Sequence, residues 1–449
     1  MPNENNNGDK STSASPPSSS DGGDVPTATR GGHHQDQRRL QVSPHRVTLP
    51  IHPMPSCEQS RLAMSVIDKI KPTVRISHNL AWTYGDYLND LPRRLGTNMA
   101  LDSATEAFLF AVQRSLNRAE VPAQSVLERY GLALTALRTC LDDPVKAREP
   151  ETLGAILMLM NCQQYLWCPN GNQLGHGHSE GAAQILRMRG RPSMDDPFER
   201  KILLSMRAVV LFESIFTDRV VFTDKEWIDM FDSKVYTLSP ESQAVECMTR
   251  LGNMMRRART VLQDDSASQF DKVVIQHEAQ GIYNEVQPAV TILRERYQKL
   301  KLRMASSEFV PDEMTDFVHC HWVRSYGLGL AITIFINELR IAVWPDPAEI
   351  VQESHAFALE ILELAREGRP YRPHGSNALG LCLIAAEMGT DDAVLKEDIR
   401  RLRHDYAMDF TDTELNQIPK VESVVLVCGR QYSQALKKKA GSSSPSTSP

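Results

Sequence analysis

The residues best suited to metal chemistry lie in one short stretch, NCQQYLWCPNGNQLGHGH, which contains Cys162, Cys168, His176 and His178. Thiolate and imidazole groups are the ligands that hold zinc in a tetrahedral site. Their spacing matches no standard zinc finger, however, and two histidines separated by one residue point in different directions unless the loop is extended. A buried helical cysteine and a histidine that hydrogen-bonds within a loop explain the same residues. We favour this second interpretation and predict no metal site and no cofactor.

Sequence motifs for common catalytic chemistries are absent. The chain has no G-x-S-x-G nucleophile elbow, no P-loop, no H-E-x-x-H motif and no G-x-G-x-x-G after a strand. His178-Ser179-Glu180 has the H-x-E pattern of zinc deaminases, but the P-C-x-x-C motif that should accompany it is missing. We predict that the chain is not an enzyme, and we assign no catalytic residue.

Three groups of basic residues are candidates for phosphate contacts. They are Arg187, Arg189 and Arg191; Arg256, Arg257 and Arg259; and Arg294, Arg296, Lys299, Lys301 and Arg303. Within each group the charges alternate with apolar residues at helical spacing, which is typical of a solvated helix face. No recognisable DNA-reading element accompanies them, so we expect no direct sequence-specific DNA contact. Lys437-Lys438-Lys439, in a serine-rich stretch, fits either a nuclear import patch or a solubilising tail.

The segments that would position these residues have helical periodicity nearly throughout. Predicted helix starts are the Ser103/Glu106 capping box, Pro150, Ser179, Asp196-Pro197, Ser239-Pro240 and Pro347, and predicted helix ends are Asp142, Gly190 and Gly368. The stretch from about Asp312 to Trp344 is apolar on most faces after Tyr326, which predicts a buried central helix. VVLVC, ending at Cys428, is the best strand candidate. The predicted fold class is all-α, with antiparallel helices packed in two or more layers.

Composition supports an ordinary globular protein with tails. The 449 residues are 41% hydrophobic and 24% charged with a net charge of −6, which excludes a basic nucleic-acid coat. We predict a disordered Ser/Pro/Gly-rich leader at 1–58, one helical domain at 59–435, and a disordered Lys/Ser-rich tail at 436–449.

Eight scattered cysteines without a C-x-x-C pair, and a polar N-terminus without a signal peptide, predict a soluble intracellular protein with reduced thiols. The longest apolar stretch, Leu328 to Ile336, is about half of a membrane span.

Five segments in order resemble the helical regulatory region of fungal zinc-cluster transcription factors. They are VLERYGLALTALRTCLDDPVKAREPETLGAILMLMNCQQY; HSEGAAQILRMRG with His178, Gly181, Arg189 and Gly190; VVFTDKEW with Glu226 and Trp227; and the pair SYGLGLAITIFIN and RPYRPHGS with Tyr326, Asn337, Arg372 and Pro373. The resemblance spans roughly Asp102 to Glu387. Each motif is degenerate alone, and the order and spacing carry the match.

The chain departs from that family at its N-terminus. Family members carry a binuclear cluster of six cysteines that places a helix in the DNA major groove, whereas the first hundred residues here contain only Cys57. Such a module does not fold without its metal. The sequence therefore resembles the regulatory half without the DNA reader, unless an upstream exon encodes the cluster.

The resemblance implies a regulator or co-regulator of transcription in a fungal metabolic or biosynthetic pathway. Its expected partners are other transcription factors or co-regulators, as a homodimer or heterodimer, with no membrane contact. The expected location is the nucleus, with the cytoplasm as a second location. Two alternatives remain open: a ligand-sensing or inhibitory partner protein whose cavity is lined by Met158, Met160, Met254 and Met255, and a helical accessory protein or enzyme. Those methionines are interpreted first as core residues.

Overall fold

The computed structural model describes residues 57–410, apart from 71–74, 117–119, 167–176, 190–194, 217–219, 231–238 and 265, and apart from a few side chains within helices. The described residues form fifteen α-helices and no strand. The α-helices are α1 (Glu58–Ile70), α2 (Leu80–Tyr84), α3 (Leu91–Arg94), α4 (Met99–Leu116), α5 (Ala123–Leu141), α6 (Pro150–Leu166), α7 (Gly177–Arg189), α8 (Pro197–Phe216), α9 (Asp224–Met230), α10 (Pro240–Gln263), α11 (Gln269–Met304), α12 (Thr315–Val343), α13 (Ala348–Glu367), α14 (Ala378–Met388) and α15 (Ala393–Ala407). The all-α prediction is confirmed. The predicted leader at 1–58 lies outside the described residues except for Cys57 and Glu58, and Glu58 already belongs to α1; the predicted tail at 436–449 and the VVLVC strand lie outside them entirely.

The predicted helix starts at Pro150, Pro197 and Ser239-Pro240 are confirmed. Helix α6 begins at Pro150 and α8 at Pro197, where proline lacks only an N–H that would be unpaired anyway. Ser239 caps α10 by accepting a hydrogen bond from the Ser242 N–H at 3.2 Å. Helix α5 ends at Leu141, with Asp142 as its C-cap, as predicted.

Two predicted starts are wrong. Ser103 and Glu106 lie inside α4, which begins at Met99. The cap is Asn98, whose side-chain oxygen accepts the N–H groups of Ala100 at 3.0 Å and Leu101 at 3.2 Å. Helix α7 likewise begins two residues before Ser179.

The helices form two groups that share one apolar core. In the first group, α4 packs between α5 and α6, with α1, α7 and α8 around them. In the second, α12 packs against α11, α13 and α14, while α10 contacts both α8 of the first group and α11. The long helices α11 and α12 are consecutive and joined by residues 305–314. They run antiparallel, since Arg296 lies against Trp322 whereas the earlier Tyr283 lies against the later Arg340.

Helix α12 is the centre of the second group. Every residue from Leu330 to Ile341 is buried, which confirms the predicted central helix. By length and composition this helix would also pass as a membrane span, although 83% of its most apolar window is buried inside the fold. A helix that is apolar on all sides is expected at the middle of a large helical core.

Candidate functional site

The predicted cysteine and histidine cluster falls mostly outside the described residues. Cys162 lies in α6 and is fully buried, and burial raises the pKa of its thiol well above the ordinary value. Cys168, His176 and the side chain of His178 are not described. Among the described residues, no group of three or more histidine, cysteine or acidic side chains is arranged to hold a metal ion.

Two of the family-like segments meet where α7 contacts the start of α9. Arg187 of α7 places its guanidinium 4.7 Å from the centre of the Phe222 ring, and its Nε lies 3.1 Å from the Glu226 carboxylate. It also donates to the Val221 carbonyl. Glu226 in turn accepts the Thr223 N–H at 2.7 Å, and this bond, together with the Thr223 hydroxyl and Arg187, holds the pKa of the Glu226 carboxyl below its ordinary value. The VVFTDKEW segment is thus fixed to α7 by one arginine.

A second arginine of α7 fixes that helix to the first family-like segment. Arg189 pairs with Glu199 of α8 and donates to the backbone carbonyl of Arg148. Its side chain is 10% exposed and that of Glu199 is 6% exposed, so this is a nearly buried ion pair. The guanidinium thus pairs with a carboxylate that would otherwise be buried without a cation.

A cleft of about 420 Å³ opens beside the VVFTDKEW segment, between α9, α10 and α11. Its apolar part is formed by Trp227, Ile228 and Cys247. Trp227 is 2% exposed and stacks at a tilt on Phe222, with ring centres 4.6 Å apart, whereas Ile228 is 70% exposed. Burial raises the pKa of the Cys247 thiol to about 11, so this sulfur is an uncharged wall residue near neutral pH.

The rim of the same cleft is acidic. It carries the carboxylates of Asp224, Glu246 and Glu285 and the guanidinium of Arg250, a net charge of −2. Arg250 is paired with Glu285. Asp224 accepts a hydrogen bond from the Asn253 amide at 2.8 Å. Glu246 makes no ion pair with any described residue and is exposed. A concave site with an apolar floor and a few charged groups is the usual form of a binding site.

Tyr326 and Asn337 lie on α12 in a polar seam shared by α11, α12 and α13. The seam is built on three glutamates of α13, Glu353, Glu360 and Glu367, spaced seven residues apart. Residues seven apart lie on the same face of a helix two turns along, so each glutamate meets its own partners.

Each glutamate of the seam accepts a phenolic hydrogen bond and faces a cation. Tyr283 donates to Glu353 at 2.5 Å, Tyr326 donates to Glu360, and Tyr297 donates to Glu367 at 2.7 Å. The cations that face the three glutamates in the same order are Arg340 at 3.7 Å, Arg294 at 2.9 Å, and Lys301. Asn337 adds an amide bond to Glu353 at 2.9 Å. Because every carboxylate is already paired, the seam has the composition of a structural contact between helices.

Arg372 and Pro373 lie in a turn that joins the two helix groups. Arg372 binds both carboxylate oxygens of Asp409, at 2.7 and 2.8 Å, and its peptide bond to Pro373 is cis. The carbonyl of Gly375 accepts hydrogen bonds from the Trp82 indole at 3.3 Å and from the Cys320 thiol at 3.0 Å.

His374, which follows Pro373 in this turn, is 2% exposed. Three aromatic rings surround it and form an aromatic box. The box consists of Tyr84, Tyr165 and Phe410, with ring centres 6.0, 6.4 and 5.6 Å from the imidazole. Nδ1 of His374 has no hydrogen-bond partner among the described residues. Burial lowers the pKa of the imidazole to about 4.

The residues singled out by the family resemblance therefore do not converge on one site. Arg189, Glu226 and Trp227 lie near α7 and α9, Tyr326 and Asn337 lie on the seam, and Arg372 and Pro373 lie in the joining turn. Gly181 is on α7, where an added Cβ would meet nothing within 4 Å. Gly190 is outside the described residues, and of His178 only the backbone, in α7, is described.

Most of the described basic groups are engaged within the fold. Arg257 pairs with Glu278 at 2.5 Å, the Arg256 guanidinium donates to the Ser214 carbonyl at 2.7 Å, and the Arg296 guanidinium lies 5.4 Å from the Trp322 ring.

The four methionines proposed as a cavity lining are buried core residues with at most 8% exposure, and none of them lines the cleft.

The cleft residues were missed by sequence reasoning, apart from Trp227, because they come from three helices. Asp224, Glu246, Arg250 and Glu285 share no local spacing that would place them together. The one local signal was Ile228, an exposed apolar residue next to the buried Trp227 on a short, charged helix. Comparisons of the chain with protein-family models, with curated proteins and with solved structures find no match.

Proposed function

We propose that this chain is a regulator or co-regulator of transcription in a fungal metabolic or biosynthetic pathway, acting through protein–protein contacts. The observation that carries the proposal is that the family-like segments contact one another. Arg189 joins the second segment to the first through the Arg148 carbonyl, and Arg187 joins it to the third through Glu226. The Cys320 thiol, which lies on α12 five residues before the SYGLGLAITIFIN segment, donates to the Gly375 carbonyl of the RPYRPHGS turn and so holds α12 beside that turn.

Through these contacts, three of the family-like segments pack against one another in one helical body. The residues that carry the family resemblance hold neighbouring helices together in this structure. A regulatory body of this kind needs them to hold its helices together. Its specificity would then reside in surfaces such as the cleft beside Trp227.

Protein contact, rather than direct DNA contact, is proposed because of how the arginines are used. Arg187, Arg189 and Arg257 are each paired with a carboxylate of the fold. A paired guanidinium offers little net charge to a phosphate backbone, and neutralisation of phosphates supplies most of non-specific DNA affinity.

The test combines capture and DNA binding with the full chain. In native cells, a tagged chain should copurify with a DNA-bound transcription factor and should associate with promoters only while that factor is present. The purified chain alone should bind promoter DNA no more tightly than unrelated DNA of equal length at the same salt concentration. Sequence-specific binding by the purified chain would contradict the co-regulator role, and unchanged expression of every gene after deletion would contradict regulation altogether.

A further inference from the structure

The cleft between α9, α10 and α11 has the features of a docking site for a short basic segment with one apolar residue. Its floor is apolar, with Trp227 buried and Ile228 70% exposed, and its volume of about 420 Å³ exceeds that of one large side chain. Three carboxylates and one guanidinium surround this floor. Glu246 is exposed and makes no ion pair with a described residue, so it is available to a cation.

The chain itself contains a segment of complementary composition. Leu436-Lys437-Lys438-Lys439 places one apolar side chain next to three ammonium groups, and no other run of three basic residues occurs in the sequence. The three ammonium groups are opposite in sign to the rim, whose net charge is −2 because Arg250 offsets one of its three carboxylates. Leu436 supplies the apolar group for the floor beside Ile228.

The segment can reach the cleft. The structure describes the chain up to Phe410, and 25 residues separate it from Leu436. At about 3.5 Å per residue these span up to roughly 85 Å. A domain of this size has a radius of gyration of about 20 Å. A tethered segment also acts at an effective concentration in the millimolar range, so weak contacts suffice to occupy the cleft.

We propose that residues 436–439 dock in the cleft of the same chain, with Leu436 on Trp227 and Ile228 and the lysines against Asp224, Glu246 and Glu285. The docked tail would occlude the cleft to other proteins, which makes it an autoinhibitory segment for that surface. This inference does not depend on the regulatory role proposed above, because it concerns the purified chain alone.

Zero-length carbodiimide cross-linking of the purified full chain, read by mass spectrometry, tests the docking directly. We expect amide links from Lys437, Lys438 or Lys439 to the cleft carboxylates, Asp224 among them. In a Glu246→Gln/Glu285→Gln variant the link to Asp224 should fall about fivefold, because the cleft loses two carboxylate charges and keeps the Arg250 cation, which then has lost its partner Glu285. A matched Glu308→Gln variant removes an exposed carboxylate that lies beyond the far end of α11 and should leave that link unchanged.

A labelled peptide of residues 433–443 provides the second measurement. It should bind the full chain about tenfold more tightly when Lys437, Lys438 and Lys439 are all changed to Gln, because the competing tail no longer occupies the cleft. Its affinity should fall as salt rises from 0.05 to 0.5 M (roughly the range over which such pairs are screened).

Three results would overturn the proposal. Tail lysines linked only to carboxylates outside the cleft would show that the tail docks elsewhere. Links found only between differently isotope-labelled copies would assign the cleft to a second chain. Peptide binding that the triple Gln change leaves unaltered, with no tail cross-link in the full chain, would assign the cleft to a partner protein.

Discussion

The nearly buried pair between Arg189 and Glu199 gives the sharpest test of how the first helix group is held together. An Arg189→Met change keeps the length of the side chain but removes its charge and both of its hydrogen bonds, to Glu199 and to the Arg148 carbonyl. Because Glu199 is 6% exposed, its carboxylate would remain buried without a cation. Breaking one partner of a buried pair costs about 3–5 kcal/mol of unfolding free energy.

The assay is urea denaturation followed by helical circular dichroism, with the free energy of unfolding compared between variants of equal m-value. A double variant, Arg189→Met with Glu199→Leu, should recover most of the loss, because replacing both partners by apolar groups removes the buried charge. Arg401→Met is the control: Arg401 is 69% exposed and pairs only with Asp398 of its own helix, so the change should cost under about 0.5 kcal/mol. A loss at Arg189 no larger than that at Arg401 would refute the reasoning.

Three further predictions use the same unfolding assay. Asn98→Ala should lower the free energy of unfolding by about 1 kcal/mol, because α4 loses its cap, whereas Ser103→Ala should leave it nearly unchanged. A larger loss at Ser103 than at Asn98 would favour the capping box predicted from the sequence. Gly375→Ala should destabilise by about 1–3 kcal/mol, because a Cβ there would lie 2.7 Å from the Tyr371 carbonyl; an unchanged midpoint would show that the turn can open. Lowering the pH from about 6.5 to about 4 should cost about 3 kcal/mol through His374, whose folded pKa of about 4 lies below its unfolded value, so that the unfolded chain binds the proton first. His374→Gln should remove that part of the pH dependence.

The first residue of a helix could be predicted where a proline or a capping residue stands at the point where helical spacing of apolar residues begins. Pro150, Pro197 and Ser239-Pro240 each satisfy both conditions, and each begins a helix. Ser103 satisfied the spacing of a capping box but lies one turn inside α4. Asn98 competes successfully for the N-terminus because its amide oxygen reaches two free N–H groups.

The 36-residue helix α11 shows the limit of periodicity. Its bounds were not predicted, because a charged sequence with a low apolar content obscures the face that packs on α12. A capping box formed by Ser268 and Asp271 marks its start, and Pro288 lies inside it. The candidate cleft depends on this helix, through Glu285, and therefore could not be assembled from local patterns.

The seven-residue spacing of Glu353, Glu360 and Glu367 limits how the second helix group can move. Sliding α13 by one residue would carry all three carboxylates away from their tyrosines at once, so intermediate positions lose every pair together rather than one at a time. A step of this kind would break all three phenolic hydrogen bonds, so we expect α13 to keep one fixed register against α11 and α12.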